Sequence, residues 1–150
     1  MVDKQLDAME PDLELVGLRL WVHGREFPDL SDFWDSNWLN VTARVEASGA
    51  RVEIQGPLIR NTEIQAFTEQ LRKLNSTLKG TAKLDCLEPA LHVSLTADDS
   101  VGHIGIAISI TPDQLSQRHS FEFGFDQSYL PRLIARCDAI LANFPIVGEP

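Results

Sequence analysis

The sequence is short of cysteine, of basic residues and of long apolar runs, and each shortage excludes a class of protein. Cys86 and Cys137 are its only cysteines. They form neither a C-x-x-C pair nor a secreted-type framework, which fits a reducing compartment and two buried thiols. The most apolar stretch, Ile104 to Ile110, is interrupted by Gly105 and Ser109 and is far too short to span a bilayer, so no membrane segment is expected. Met1 to Pro11 carries Asp3, Lys4, Asp7 and Glu10 where a leader would carry an apolar core. Residues 1–11 therefore read as a flexible polar lead-in to a cytoplasmic protein. With 13 basic residues against 22 acidic ones the formal charge is −9. Such a field repels phosphate backbones, which speaks against nucleic acid, and attracts cationic partners.

Catalytic and ligand-binding signatures are missing as well. His23, His92, His103 and His119 occur singly, with no H-x-H or H-x-x-x-H spacing, so no metal centre is expected. Three of them, His23, His92 and His103, fall on the polar parity of their strands, and only the fold decides whether they meet. There is no G-x-S-x-G elbow, no phosphate-binding loop and no dinucleotide fingerprint. Asp29, Asp32 and Asp35 are too widely spaced for a calcium loop and lack its distal glutamate, which leaves them turn and capping roles. The expectation is a protein without cofactor, metal or enzymatic activity, although an acid–base carboxylate pair would be set by the fold and not by spacing.

What is present is alternation. The 150 residues, 43% of them hydrophobic, suffice for one core, which at this length buries about 70% of the surface of the unfolded chain. Val16, Leu18, Leu20 and Val22 share one face, opposite Arg19, Trp21 and His23, as in a half-buried strand. Leu39, Val41, Ala43 and Val45 alternate with polar residues, Ser48-Gly49 turns the chain, and Val52 and Ile54 continue on a second strand. Four further strands follow around Ala82, Leu84 and Cys86; Leu91, Val93 and Leu95; Ile104 to Ile110; and Phe121, Phe123 and Phe125. The period changes twice. After an Asn61-Thr62 cap, Ile64, Phe67, Leu71 and Leu74 fall at helical spacing, and after Asp126 so do Leu130, Leu133, Cys137 and Ile140. The pattern predicts a single α+β domain over 1–150: a largely antiparallel sheet of about seven strands with two amphipathic helices on one face.

The least ordinary stretch runs from Phe27 to Val41, where Trp34 and Trp38 stand among Asp29, Asp32 and Asp35. Parity places Trp38 on the polar face of its strand, as it does Trp21. One reading is a loop folded over a satellite aromatic cluster; the other is recognition, because a tryptophan ringed by carboxylates suits a cationic protein partner. Asp35-Ser36-Asn37-Trp38-Leu39-Asn40-Val41, together with Phe123-Gly124-Phe125-Asp126-Gln127-Ser128-Tyr129-Leu130 and the later Phe144-Pro145, resembles the WapI family of bacterial immunity proteins, which accompany polymorphic toxins. The resemblance implies a cytoplasmic, non-enzymatic protein that binds and neutralises a cognate toxin domain with a basic surface, such as a nuclease. It carries no contact residues with it. On chemistry alone, Asp32, Trp34, Asp35, Trp38, Asp98 and Asp99 are the candidate partner-binding residues. The alternatives are a housekeeping interaction or scaffold domain, whose acidity is incidental, and a small-molecule binder with a site assembled across the sheet from His23, His92 or His103.

Overall fold

The computed structural model describes residues 6–98 and 101–150. The alternating segments form two sheets where one was expected. β1 (Leu13–Leu15), β2 (Leu18–Arg25), β3 (Trp38–Ala47) and β4 (Ala50–Arg60) make the first; β5 (Thr81–Asp85), β6 (Leu91–Ala97), β7 (His103–Ile110) and β8 (Ser120–Asp126) make the second. Within each sheet every strand is antiparallel to its chain neighbour. A short helix, α1 (Phe33–Ser36), lies in the β2–β3 connection, α2 (Asn61–Thr77) separates the two sheets in sequence, and a 3-10 turn at Gln127–Tyr129 leads into α3 (Leu130–Asn143). The α+β, antiparallel character stands. The sheet divides because α2 intervenes after β4, so that β4 pairs only with β3 and the ladder begins anew at β5.

β1 was not expected, and Val16 is not a core residue. Leu13 pairs with Leu20 and Leu15 with Leu18 around a two-residue turn. Val16 sits in that turn at φ 52, 45% exposed. A Cβ on the next residue, Gly17, would lie 2.5 Å from the Glu46 carbonyl oxygen and 2.7 Å from the Phe123 ring. Glycine is therefore what lets this corner of the first sheet seat against β8 of the second.

The inward residues of both sheets, including Leu39, Val41, Leu95 and Ile106, join Phe67, Leu71, Leu133 and Cys137 of the helices in one contiguous core. α2 packs along β5 and against α3. Its N-cap is Arg60, not Asn61: the Arg60 backbone N–H donates to Glu63 Oε1 at 2.8 Å, and Asn61 is the first helical residue. Glu63 thus satisfies one of the amide donors that a helix start leaves open.

Of the lead-in expected over residues 1–11, residues 1–5 lie outside the described residues, and residues 6–11, with Asp12 after them, pack on the first sheet. They cross the outer face of the first sheet, where Leu6 and Trp21 are buried and the Trp21 indole N–H donates to the Met9 carbonyl at 3.0 Å. Beside it Arg44, only 1% exposed, stacks over the Trp21 ring at 5.0 Å and donates to Asp7 at 2.6 Å and to Glu53 at 2.8 Å. Burial works against the Arg44 charge, but these two carboxylates outweigh it and hold the guanidinium pKa above its ordinary value.

Candidate protein-binding surface

The β2–β3 connection carries the aromatic and acidic residues. Leu30 N–H donates to the Phe27 carbonyl at 3.2 Å, turning the chain at Pro28-Asp29. Asp32 then caps α1, its Oδ2 accepting from the backbone N–H groups of Trp34 (3.1 Å) and Asp35 (2.9 Å) and its Oδ1 from the Ser36 hydroxyl (3.3 Å). This is the usual role of an aspartate before a first turn. Asp32 therefore shapes the loop from within. The cap leaves Trp34 61% exposed, its ring edge-to-face with half-buried Phe33 at 5.1 Å. Phe27 and Leu30 are also exposed, at 44% and 46%, and Asp29 and Asp35 stand open beside them.

Behind this surface the loop is fastened to the distant C-terminal segment. Asn37, fully buried, donates through Nδ2 to the Phe33 carbonyl (2.8 Å) and the Val147 carbonyl (3.0 Å), while its Oδ1 accepts from Val147 N–H (3.0 Å). The carboxamide thus reads both backbone groups of Val147, as a neighbouring strand would. Arg25 donates to the carbonyls of Ser36 (2.9 Å) and Pro145. Asn61 Nδ2 donates to the Phe144 carbonyl at 3.0 Å, and its backbone N–H to that of Asn37 at 3.0 Å. Sequence reasoning missed Arg25, Asn37 and Asn61 as a group because their partners lie up to 120 residues away.

The candidate residues separate into two places. Asp32, Trp34, Asp35 and Trp38 belong to the α1 loop and the strand after it. Trp38 is half-buried, paired across the ladder with Arg60, whose guanidinium lies 5.5 Å from its ring centre. Such a stack supports the loop base. Asp98 instead follows β6 of the second sheet, 3.6 Å from the His103 ring, and Asp99 lies outside the described residues.

The histidines do not converge. His23 lies on the first sheet, hydrogen-bonded to the Thr42 hydroxyl at 2.7 Å, while His92 and His103 lie on the second, beside Asp85 (3.3 Å) and Asp98 respectively. His92 borders an open hollow of about 430 Å³ on the outer face of the second sheet, of which His23 and His103 form no part. Among the described residues no group of three or more His, Cys, Asp or Glu is placed to hold a metal ion. Cys86 and Cys137 are free and buried. Burial pushes the Cys137 thiol up to about 11 and that of Cys86 higher still, so neither is a ready nucleophile. No helix among the described residues is long and apolar enough to cross a membrane.

The second run that carries the family resemblance, Phe123 to Leu130, is also structural. Asp126 accepts from Ser128 N–H at 2.9 Å and thereby starts the 3-10 turn, and its pKa is lowered by the Ser128 hydroxyl first and by this N–H second; Phe125 stacks on Tyr129 at 5.7 Å; Gln127 N–H donates to the Gly102 carbonyl at 2.8 Å. Both runs thus fix where loops meet secondary structure.

No curated protein and no solved structure matches the chain. A family model does, and over nearly the whole length: it matches residues 7–145, which takes in the α1 loop, Asn37 and the tail segment as far as Pro145 but not Val147, and the chain belongs to the immunity protein WapI-like family.

Proposed function

We propose that the chain is a non-enzymatic, cytoplasmic immunity protein that binds a cognate toxin domain and neutralises it by occlusion, with Trp34 as the anchor of the contact. The observation that carries this reading is the exposure of Trp34 on a loop whose backbone is fixed from behind by Asp32, Asn37 and Arg25. A large aromatic held in place before binding loses little conformational freedom on association, which is what makes tryptophan effective at interface centres. Asp35 and Asp29 flank it with negative charge and, with the net charge of −9, favour a basic partner and rapid encounter. A nuclease, which needs a basic surface for its own substrate, meets that description. Trp38 supports the loop base, and Asp98 adds an acidic group on the second sheet.

The test is growth of a host expressing the product of the gene immediately upstream, with and without this protein. Relief of toxicity is the expected result; a harmless neighbour, or toxicity that persists, would favour a scaffold role. Once the toxin is in hand, Trp34→Ala combined with Asp35→Ala is expected to raise Kd at least about ten-fold, equivalent to about 1.4 kcal/mol. Unchanged affinity would remove the α1 loop from the interface.

A further inference from the structure

The two sheets treat their outer faces differently. On the first, Arg44, Glu53 and residues 6–12 fill the surface. On the second, strand register aligns Asp85, His92, Ser109 and Ser120 in one row and Lys83, Ser94, Ala107 and Glu122 in the next. The inner strands β6 and β7 therefore present Ser94, Ala107 and Ser109 outward, where a pleated surface ordinarily carries β-branched or longer side chains. Beyond them Gly105 pairs with Gly124. Both accommodate neighbouring side chains: a Cβ on Gly105 would lie 2.8 Å from the Asp98 carboxylate, and one on Gly124 2.9 Å from the His103 ring. The result is a low floor on which two hollows, of about 430 and 440 Å³, share Ser94, Ala107 and Glu122 and so form one trough.

The rim of this trough is acidic. Asp85, Asp98 and Glu122 line it, with a single lysine, Lys83, against them, and Asp126 continues the outward parity of β8. Asp85 and Asp98 keep 79% and 47% of their side-chain surface in solvent. A surface that is low, open and predominantly acidic complements a protruding segment of positive charge.

We infer that this trough is a second docking surface, and that it receives a lysine- or arginine-bearing segment of the toxin that the α1 loop engages. The inference rests on the immunity reading above. It assigns the trough an ionic role and the α1 loop an aromatic one, so the two respond to different perturbations.

The experiment uses the full chain and a catalytically inactive form of the upstream gene's toxin, with Kd measured at low and high salt. Ala107→Arg raises the floor and adds a positive charge; Glu122→Lys reverses the rim at an exposed edge-strand position that contributes nothing to the core. Each is expected to weaken binding at least ten-fold at low salt, with a shallower salt dependence than the wild type. Circular dichroism and urea unfolding report whether each variant folds, and Glu122→Lys decides if Ala107→Arg does not. Wild-type binding that neither variant weakens would overturn the trough and leave the immunity reading intact. No binding and no protection by the wild type would overturn both.

Discussion

Replacing Asn37 by alanine probes the clamp behind the candidate surface. Three side-chain hydrogen bonds disappear, one to the Phe33 carbonyl and two to the backbone of Val147. At about 1 kcal/mol net for each, the expected loss is about 3 kcal/mol. For a domain of this size that corresponds to a fall in Tm of about 6–12 °C. Urea unfolding measures it directly, with the midpoint falling at an unchanged slope. A thermodynamic cycle then separates the tail contacts from the local one. In a variant lacking residues 146–150 the two bonds to Val147 are already gone, so Asn37→Ala should cost only about 1 kcal/mol there, a coupling of about 2 kcal/mol. Equal costs in the two backgrounds, or a loss below 1 kcal/mol in the full chain, would refute the clamp.

Gly17→Ala should destabilise the fold by about 1–3 kcal/mol, the usual range for overpacking, because its Cβ would collide with the Glu46 carbonyl and the Phe123 ring; chemical denaturation reads the loss. Asp7 has its pKa lowered below 3.8, chiefly by the hydrogen bond from Arg44. A carboxyl depressed in the folded state adds stability that is fully present above its unfolded pKa and is lost as pH falls through the folded value. Asp7→Asn should therefore lower stability at neutral pH and remove part of its decline below about pH 4, as followed by thermal melts across pH. Cys86 and Cys137 should resist a thiol reagent at pH 8 in the native protein and react at once in denaturant, with labelling counted by mass spectrometry. Rapid labelling of the native chain would show that the core opens there.

Strands were legible because each buries one face, and burial of one face imposes period two. Their division into two sheets was not, because Leu84 and Val93 alternate in the same way whichever sheet they join. β1 did leave a trace: the core leucines shift from odd positions 13 and 15 to even positions 18 and 20, and a change of parity marks a turn. Trp21 was correctly placed on the outer face, but its burial, with its indole N–H held by the Met9 carbonyl, could not be read from a polar N-terminal composition. Asp32 was chosen for its charge, while its position just before Phe33 already marked it as a helix cap. The task of Asn37 could not be read at all, since Val147 has no sequence signal that links it to residue 37.

Most of this fold forms between chain neighbours, since each strand in both ladders pairs with the one before or after it. The clamp is the opposite case. Asn37 must wait for Val147, 110 residues downstream, an interval of about 6–22 s at ordinary rates of translation. The loop that carries Trp34 is thus among the first parts of the chain to be made and among the last to be set, so a growing chain does not present its finished surface early.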